Sequence, residues 1–272
     1  MTLAIQDVEA ARARIKTIWT SGDFGKVAES IQTHADAFVA GLPINPNMRV
    51  LDVACGTGNT AVLAAQRGAT VTGIDIAPNL VAAARERAAA AGLKIEFDEG
   101  NAEMLPYADA SFAMVISMYG VMFAAYPDLA AAELLRVCAP GGKIALANWT
   151  PGAFIGQMLK TVGKHVPPPS GIVSPILWGV EETVRERLGQ GSSEIICTPR
   201  KVMFDYPFSP AETVEFFFQY YGPTLRAYAA CSPEKQVALR HDLENLWSEH
   251  NQATDGTTLV ESEYLEVIAT RA

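Results

Sequence analysis

The stretch Val50-Leu51-Asp52-Val53-Ala54-Cys55-Gly56-Thr57-Gly58-Asn59-Thr60 decides the fold: an apolar run of strand character enters a glycine turn and leaves it as the start of a helix. Without a Cβ atom, Gly56 and Gly58 let the backbone turn sharply and approach a ligand closely. The helix that follows offers unpaired N–H groups to an anionic or carboxylate group. The segment therefore predicts a ligand loop as well as a turn.

The next apolar run, Val71-Thr72-Gly73-Ile74-Asp75-Ile76, closes on an acid. At the C-terminal end of a second strand, the Asp75 carboxylate can accept hydrogen bonds from both hydroxyls of a ribose, which points to an adenosine ligand without choosing one. Gly56-Thr57-Gly58-Asn59-Thr60-Ala61 also fits the Gly-x-Gly-x-x-Ala form of a dinucleotide loop. Asp52 bears on the choice, because an acid inside an apolar strand is costly to bury without a partner. A cationic amino group of a ligand, met directly or through water, would supply that partner, whereas a pyrophosphate would be repelled. The alternative is that Asp52 only accepts hydrogen bonds from loop N–H groups.

Outward from this point the pattern alternates. Strands are expected at Val50 to Ala54, Thr70 to Asp75, Lys94 to Glu99, Ala113 to Met118 and Lys143 to Trp149. Helices fall at Thr60 to Arg67, Pro78 to Ala91 and Leu129 to Val137, and Pro140-Gly141-Gly142 turns into the fifth strand. Strands separated by helical stretches imply crossover units and a parallel sheet. Residues 1 to 45 form a helical opening section broken at Ser21-Gly22-Asp23, and 46 to 150 the α/β core. Residues 151 to 272 add two late strands, Glu194 to Tyr206 and Leu259 to Thr270, with helical insertions at about 151 to 192 and 208 to 256 that cap the sheet. Pro167-Pro168-Pro169 reads as a stiff link.

The 272 residues are 49% hydrophobic and 19% charged, a folded composition rather than a disordered one. A net charge of −9 repels phosphate backbones and anionic membrane surfaces, so a nucleic-acid or membrane partner is not expected. No apolar run reaches the length of a membrane span and the N-terminus has no signal-peptide core. The 4 cysteines form no Cys-x-x-Cys pair and have no histidines at ligand spacing, which suits reduced thiols without a metal in a cytoplasmic protein.

Taken in order, these motifs resemble the class I S-adenosylmethionine-dependent methyltransferases, specifically the small-molecule group that includes the ubiquinone/menaquinone-type C-methyltransferases. Asp52 to Gly58 is similar to the family's first motif, Gly73-Ile74-Asp75 to its ribose acid, and Glu99-Gly100-Asn101-Ala102-Glu103-Met104-Leu105-Pro106-Tyr107 to its adenine segment. Ser111 to Ser117 resembles the fourth strand, and Leu134 to Lys143 the helix and turn into the fifth. The resemblance implies a seven-stranded, mostly parallel Rossmann-like α/β sheet whose last strand is antiparallel, with S-adenosyl-L-methionine as cofactor and S-adenosyl-L-homocysteine as product. It also implies that Ala54, Gly56 and Gly58 hold the methionine part with Asp52, that Asp75 holds the ribose, and that Ile76 covers one adenine face. Asn101 and Ala102 would meet the adenine's polar edge, and Ser117 is counted with the cofactor-side residues. Many relatives carry Asp where this chain has Asn101, and an amide oxygen can still accept from the adenine amino group.

Ligands of open α/β sheets bind beyond the carboxyl ends of the strands, so Tyr119, Asn148 and Trp149 are expected on the acceptor side, with plain packing as the alternative. Trp19 to Phe24 is expected to fold over the cofactor, Phe24 contacting the acceptor, or else to be a helix-to-helix turn capped by Asp23. In Phe216-Phe217-Phe218-Gln219-Tyr220-Tyr221, the hydroxyls of Tyr220 and Tyr221 can orient an acceptor in an apolar cavity. His34, His165, His241 and His250 sit in no motif and read as surface or cap residues. The expected reaction is in-line methyl transfer to an O, N or C atom of a small, aromatic or apolar acceptor, with no assigned catalytic residue. The alternatives are an NAD(P)-dependent oxidoreductase and a non-catalytic S-adenosylmethionine-binding module. The oligomeric state stays open between monomer and homodimer.

Overall fold

The computed structural model describes residues 5–168 and 172–272. Expectations for Met1 to Ala4, and for Pro169 of the proline link, fall outside the described residues. Three helices, α1 (Ile5–Trp19), α2 (Phe24–Ser30) and α3 (Gln32–Ala40), lead into β1 (Arg49–Val53). Then follow α4 (Asn59–Gln66), β2 (Thr70–Asp75), α5 (Pro78–Ala90), β3 (Glu96–Glu99), β4 (Phe112–Met118), α6 (Pro127–Val137) and β5 (Cys138–Trp149). The remainder is α7 (Phe154–His165), α8 (Glu181–Leu188), β6 (Ser192–Tyr206), α9 (Pro210–Tyr220), α10 (Gly222–Ala229), α11 (Pro233–His250) and β7 (Thr258–Arg271).

The strands make one seven-stranded sheet in the order β3-β2-β1-β4-β5-β7-β6. The pairs from β3 to β5 are parallel, and β7 runs antiparallel to both β5 and β6. In β1, Val50, Leu51 and Val53 are fully buried, as a central parallel strand covered by helices on both faces requires. Helices α5 and α6 each begin with proline, whose missing N–H costs nothing in a first turn. Ser209 and Glu212 close a capping box that starts α9 immediately after the β6 turn.

Several boundaries differ from expectation, those of β5 and β3 most clearly. Strand β5 begins at Cys138, paired with Phe112, and the Pro140-Gly141-Gly142 segment is an irregularity inside it before Met114 meets Lys143. Gly141 sits at φ +74, and a Cβ on Gly142 would lie 2.8 Å from the Ala113 carbonyl oxygen, so the glycine turn survives within the ladder. Strand β3 is shorter than expected, opening at Glu96 rather than Lys94. Among the late helices α11 packs on both α7 and α9, with α7 and α11 against β7, while α1 packs on α10 and α2 on α9. The opening helices thus join the cap. No helix among the described residues is long and apolar enough to cross a membrane.

Candidate functional site

Strand β1 lies between β2 and β4, and the chain leaves it in opposite directions along the sheet, which opens a crevice at the carboxyl ends of these strands. Two non-glycine residues there have left-handed backbone: Ala54, just past β1, at φ +54 and Tyr119, just past β4, at φ +56. Such conformations cost of order 1–3 kcal/mol each and persist where the surroundings over-determine them. The surroundings are visible: a Cβ on Gly120 would stand 2.6 Å from the Ala54 carbonyl oxygen, so the two strand ends touch backbone to backbone. Ser117 locks them, donating to the Val53 carbonyl at 2.7 Å and accepting from Val121 N at 2.9 Å.

Ala54, Gly56, Asp75, Ile76, Asn101 and Ala102 all line one cavity in this crevice, with Phe24 and Tyr119. Gly56, at φ +54, faces Phe24, and a Cβ there would fill the gap to that ring, 3.6 Å away. Three of the expected cofactor residues stand behind the wall instead. Gly58, at φ +77, is held by packing, since a Cβ would lie 3.2 Å from the Phe97 ring and 3.3 Å from the Ala84 Cβ. Ser117 is fully buried and spent on its two hydrogen bonds. Asp52, 1% exposed, accepts from Thr60 Oγ1 at 2.5 Å, and its Oδ1 makes no hydrogen bond of good geometry.

One buried acid lies in the cavity wall and a second stands behind it. Asp75 is buried and accepts from Gly56 N at 2.8 Å and Ala77 N at 2.9 Å. Burial pushes its carboxyl up from the ordinary value, against the pull of those N–H groups. Burial also pushes Asp52 up to about 7, opposed by the Thr60 hydroxyl and the Ala61 N–H and assisted by the nearby Asp75. Gly56 N–H, which a dinucleotide loop would aim at a pyrophosphate, is instead taken by a carboxylate. Two buried acids at the loop fit a ligand with a cationic centre and a ribose, which S-adenosylmethionine has, and disfavour the dinucleotide alternative. Cys55 is a packing residue whose thiol burial pushes well up. The Asn101 amide oxygen already accepts from Glu103 N at 2.9 Å, leaving one lone pair for an adenine.

The acceptor-side residues divide. A second, apolar cavity adjoins the first through Trp19, Phe24, Ile31, Tyr119 and Phe123, which line both. Trp149 and Tyr221 line this chamber with Phe204, and Trp149 stacks on Tyr119 at 3.8 Å between ring centroids. Tyr220 and Asn148 line neither cavity. The Tyr220 ring packs on Phe216 at 5.0 Å, and its carbonyl accepts from Asp23 N at 3.1 Å. Asn148, one residue before Trp149 in β5, is fully buried with both amide atoms unpartnered. In the 19 to 24 segment Asp23 caps α2 through Gly25 N at 3.0 Å, while Trp19 and Phe24, at 5.4 Å, meet edge to face and both line the crevice.

Several wall residues escaped the sequence reading. Arg12 on α1 reaches across to Glu103, Nε to Oε2 at 2.7 Å, and Glu103 also accepts from Tyr126 N at 3.0 Å. Lys16 pairs with Glu99 beside it. Asn59 ties the loop to the opening helices by donating to the Ala28 carbonyl and Gln32 Oε1, both at 3.0 Å. These join segments far apart in sequence, and no local pattern announces them. His34 is not a surface residue but lies buried in α3, 2% exposed, because α3 packs its side chain against the rings of Tyr119, Trp149 and Phe204. His165 pairs with Asp242 at 2.8 Å in the cap.

Residues 50–142 match a family described as a methyltransferase domain, a span that runs from the glycine loop into β5. An uncharacterised protein of Mycobacterium tuberculosis, Rv1405c, is 38% identical over 257 residues, 93% of each chain. A demethylmenaquinone methyltransferase of Thermus thermophilus is 41% identical over 111 residues, 39% of this chain and 50% of that protein. Among solved structures, the phosphoethanolamine N-methyltransferase 2 of Haemonchus contortus, in complex with phosphomonomethylethanolamine and S-adenosylhomocysteine, superposes with a TM-score of 0.55 at 18% identity, covering 88% of this chain and 52% of that one. That likeness establishes the sheet and its helices. On that sheet, the matched methyltransferase domain and the likeness to the demethylmenaquinone methyltransferase place the chain among the class I S-adenosylmethionine-dependent methyltransferases.

Proposed function

We propose that the chain transfers the methyl group of S-adenosylmethionine to an oxygen, nitrogen or carbon atom of a small, aromatic or apolar organic acceptor. The observation that carries this reading is the shared wall: the polar crevice and the apolar chamber meet at Trp19, Phe24, Ile31, Tyr119 and Phe123. A donor seated in the first and an acceptor in the second would face each other across those rings.

In this reading Asp75 accepts from the ribose hydroxyls, Ile76 and Ala102 enclose the adenine with Asn101 at its edge, and Ala54 and Gly56 pass close to the methionine part. Asp52, out of contact behind the loop, adds a negative field under the cationic sulfur. The bound donor supplies an electrophilic methyl group, so the protein needs no nucleophile. Its own work is to align the acceptor and keep water out, and proximity alone can lower such a barrier by about 7–11 kcal/mol. Trp19 and Phe24 close the top, with Trp19 also edge-on to Phe123 at 5.0 Å and to Tyr221 at 5.9 Å. The demethylmenaquinone relative matches 39% of this chain, which leaves the acceptor's identity to experiment.

Calorimetric titration with S-adenosylmethionine, S-adenosylhomocysteine and NADH, followed by methyl transfer from a methyl-labelled donor to a panel of small aromatic acceptors, tests the proposal. Binding of both adenosyl ligands, no binding of NADH and label recovered in an aromatic product are expected. Label recovered only in polar aliphatic amines would overturn the acceptor class. Tight donor binding without turnover on any acceptor would support the non-catalytic module.

A further inference from the structure

His34 stands behind the wall of the acceptor chamber. It comes three residues after Ile31, the residue between α2 and α3 that lines both cavities. Its ring is edge-on to three rings of that wall, with centroids 6.4 Å from Tyr119, 6.4 Å from Trp149 and 5.2 Å from Phe204. Nε2 lies 2.8 Å from the Met203 carbonyl oxygen of β6. A carbonyl can only accept, so Nε2 carries the proton, and burial keeps the ring neutral by lowering its pKa. Nδ1 is therefore a bare lone pair, and it has no partner.

The Tyr119 hydroxyl is the complementary orphan. It is buried, without a hydrogen-bond partner, and its ring forms the wall where the two cavities meet. An unmatched acceptor and an unmatched donor on perpendicular neighbouring rings are costly to maintain inside a protein. A hydroxyl satisfies both at once, since it accepts with its lone pairs and donates its proton. A methyl ether can only accept and an alkane can do neither.

Resting on the acceptor reading above, we propose that His34 Nδ1 and the Tyr119 hydroxyl form a two-point site for an aromatic hydroxyl, with Tyr119 donating to its oxygen and His34 receiving its proton. During transfer the acceptor's O–H bond breaks and the proton goes to Nδ1. The freed oxygen pair forms the new bond to the methyl carbon, and the old carbon–sulfur pair stays on sulfur. The imidazolium holds that proton until the product leaves, and returns it to solvent through the vacated chamber. His34 is the base and Tyr119 the orienting donor, and the Met203 carbonyl fixes the tautomer.

The test uses the full chain saturated with S-adenosylhomocysteine and two probes, 2-naphthol and its methyl ether 2-methoxynaphthalene. The site predicts that wild type binds the naphthol about tenfold more tightly than the ether. Tyr119→Phe and His34→Phe should bring that ratio close to one, while His34→Gln, which keeps an acceptor, should recover part of it. On the unaltered protein labelled with nitrogen-15 histidine, the naphthol should move the His34 Nδ1 resonance and the ether should not, a readout independent of how the variants fold. Equal binding of the two probes by wild type, a ratio that persists in His34→Phe, or an unmoved Nδ1 resonance under bound naphthol each overturns the two-point site and leaves the apolar chamber standing. Failure of both probes to bind overturns the chamber itself, and this site with it.

Discussion

Asp52→Asn separates the energetic cost of the buried acid from its use. The side chain is 1% exposed, and burial raises its pKa from 3.8 to about 7. A group that holds its proton more tightly folded than unfolded contributes stability below its unfolded pKa and loses it as pH rises through the folded one. At about 1.4 kcal/mol per pH unit, the ionised form costs the folded state about 4 kcal/mol at pH 8 and about 2 kcal/mol at pH 5. Asparagine keeps the shape and can still accept from Thr60, but it cannot ionise. Urea unfolding of the ligand-free protein should therefore show the variant's stability, relative to wild type, rising by about 2–3 kcal/mol between pH 5 and pH 8. Binding should change the other way. A cationic ligand above the loop favours the ionised acid, so wild type should release a proton on binding S-adenosylmethionine below pH 7, and the variant should bind more weakly at pH 8 and release less. A stability difference that stays constant from pH 5 to pH 8 would refute the burial argument, and unchanged affinity at pH 8 would refute the role of the field.

Asp75→Ala removes the proposed acceptor for two ribose hydroxyls and strands Gly56 N and Ala77 N, so calorimetry should show S-adenosylhomocysteine binding at least tenfold weaker. Arg12→Ala breaks the strap from α1 to Glu103, whose side chain is 2% exposed; stopped-flow dissociation of S-adenosylhomocysteine should speed about fivefold, and unfolding stability should fall by about 1–3 kcal/mol. Gly120→Ala places a Cβ 2.6 Å from the Ala54 carbonyl oxygen, so the crevice must open; thermal unfolding should come several degrees earlier, and donor affinity should fall about tenfold or more. An unchanged melting temperature would show that the β1 and β4 ends are not in contact in solution.

Local sequence determined the sheet's parallel half, because each element there is announced by short-range chemistry: apolar runs for buried strands, Pro78 and Pro127 for helix starts, and glycines such as Gly56 and Gly58 at left-handed turns. It also announced Gly56 and Asp75, which line the crevice because they stand at the ends of two adjacent strands. The tertiary structure decided which of the remaining candidates face a ligand. Tyr220 and Tyr221 are neighbours of the same type, yet one packs on Phe216 and the other lines the chamber, because the break between α9 and α10 falls at Tyr221. Asn148 and Trp149 part for the reason that any strand residues do: alternate side chains leave opposite faces. Arg12 with Glu103, and His34 with Tyr119, join the opening helices to distant segments of the core, and such pairings depend on how the helices settle across the sheet. Periodicity along the chain says which face of an element is apolar, but it carries no record of what that face will meet.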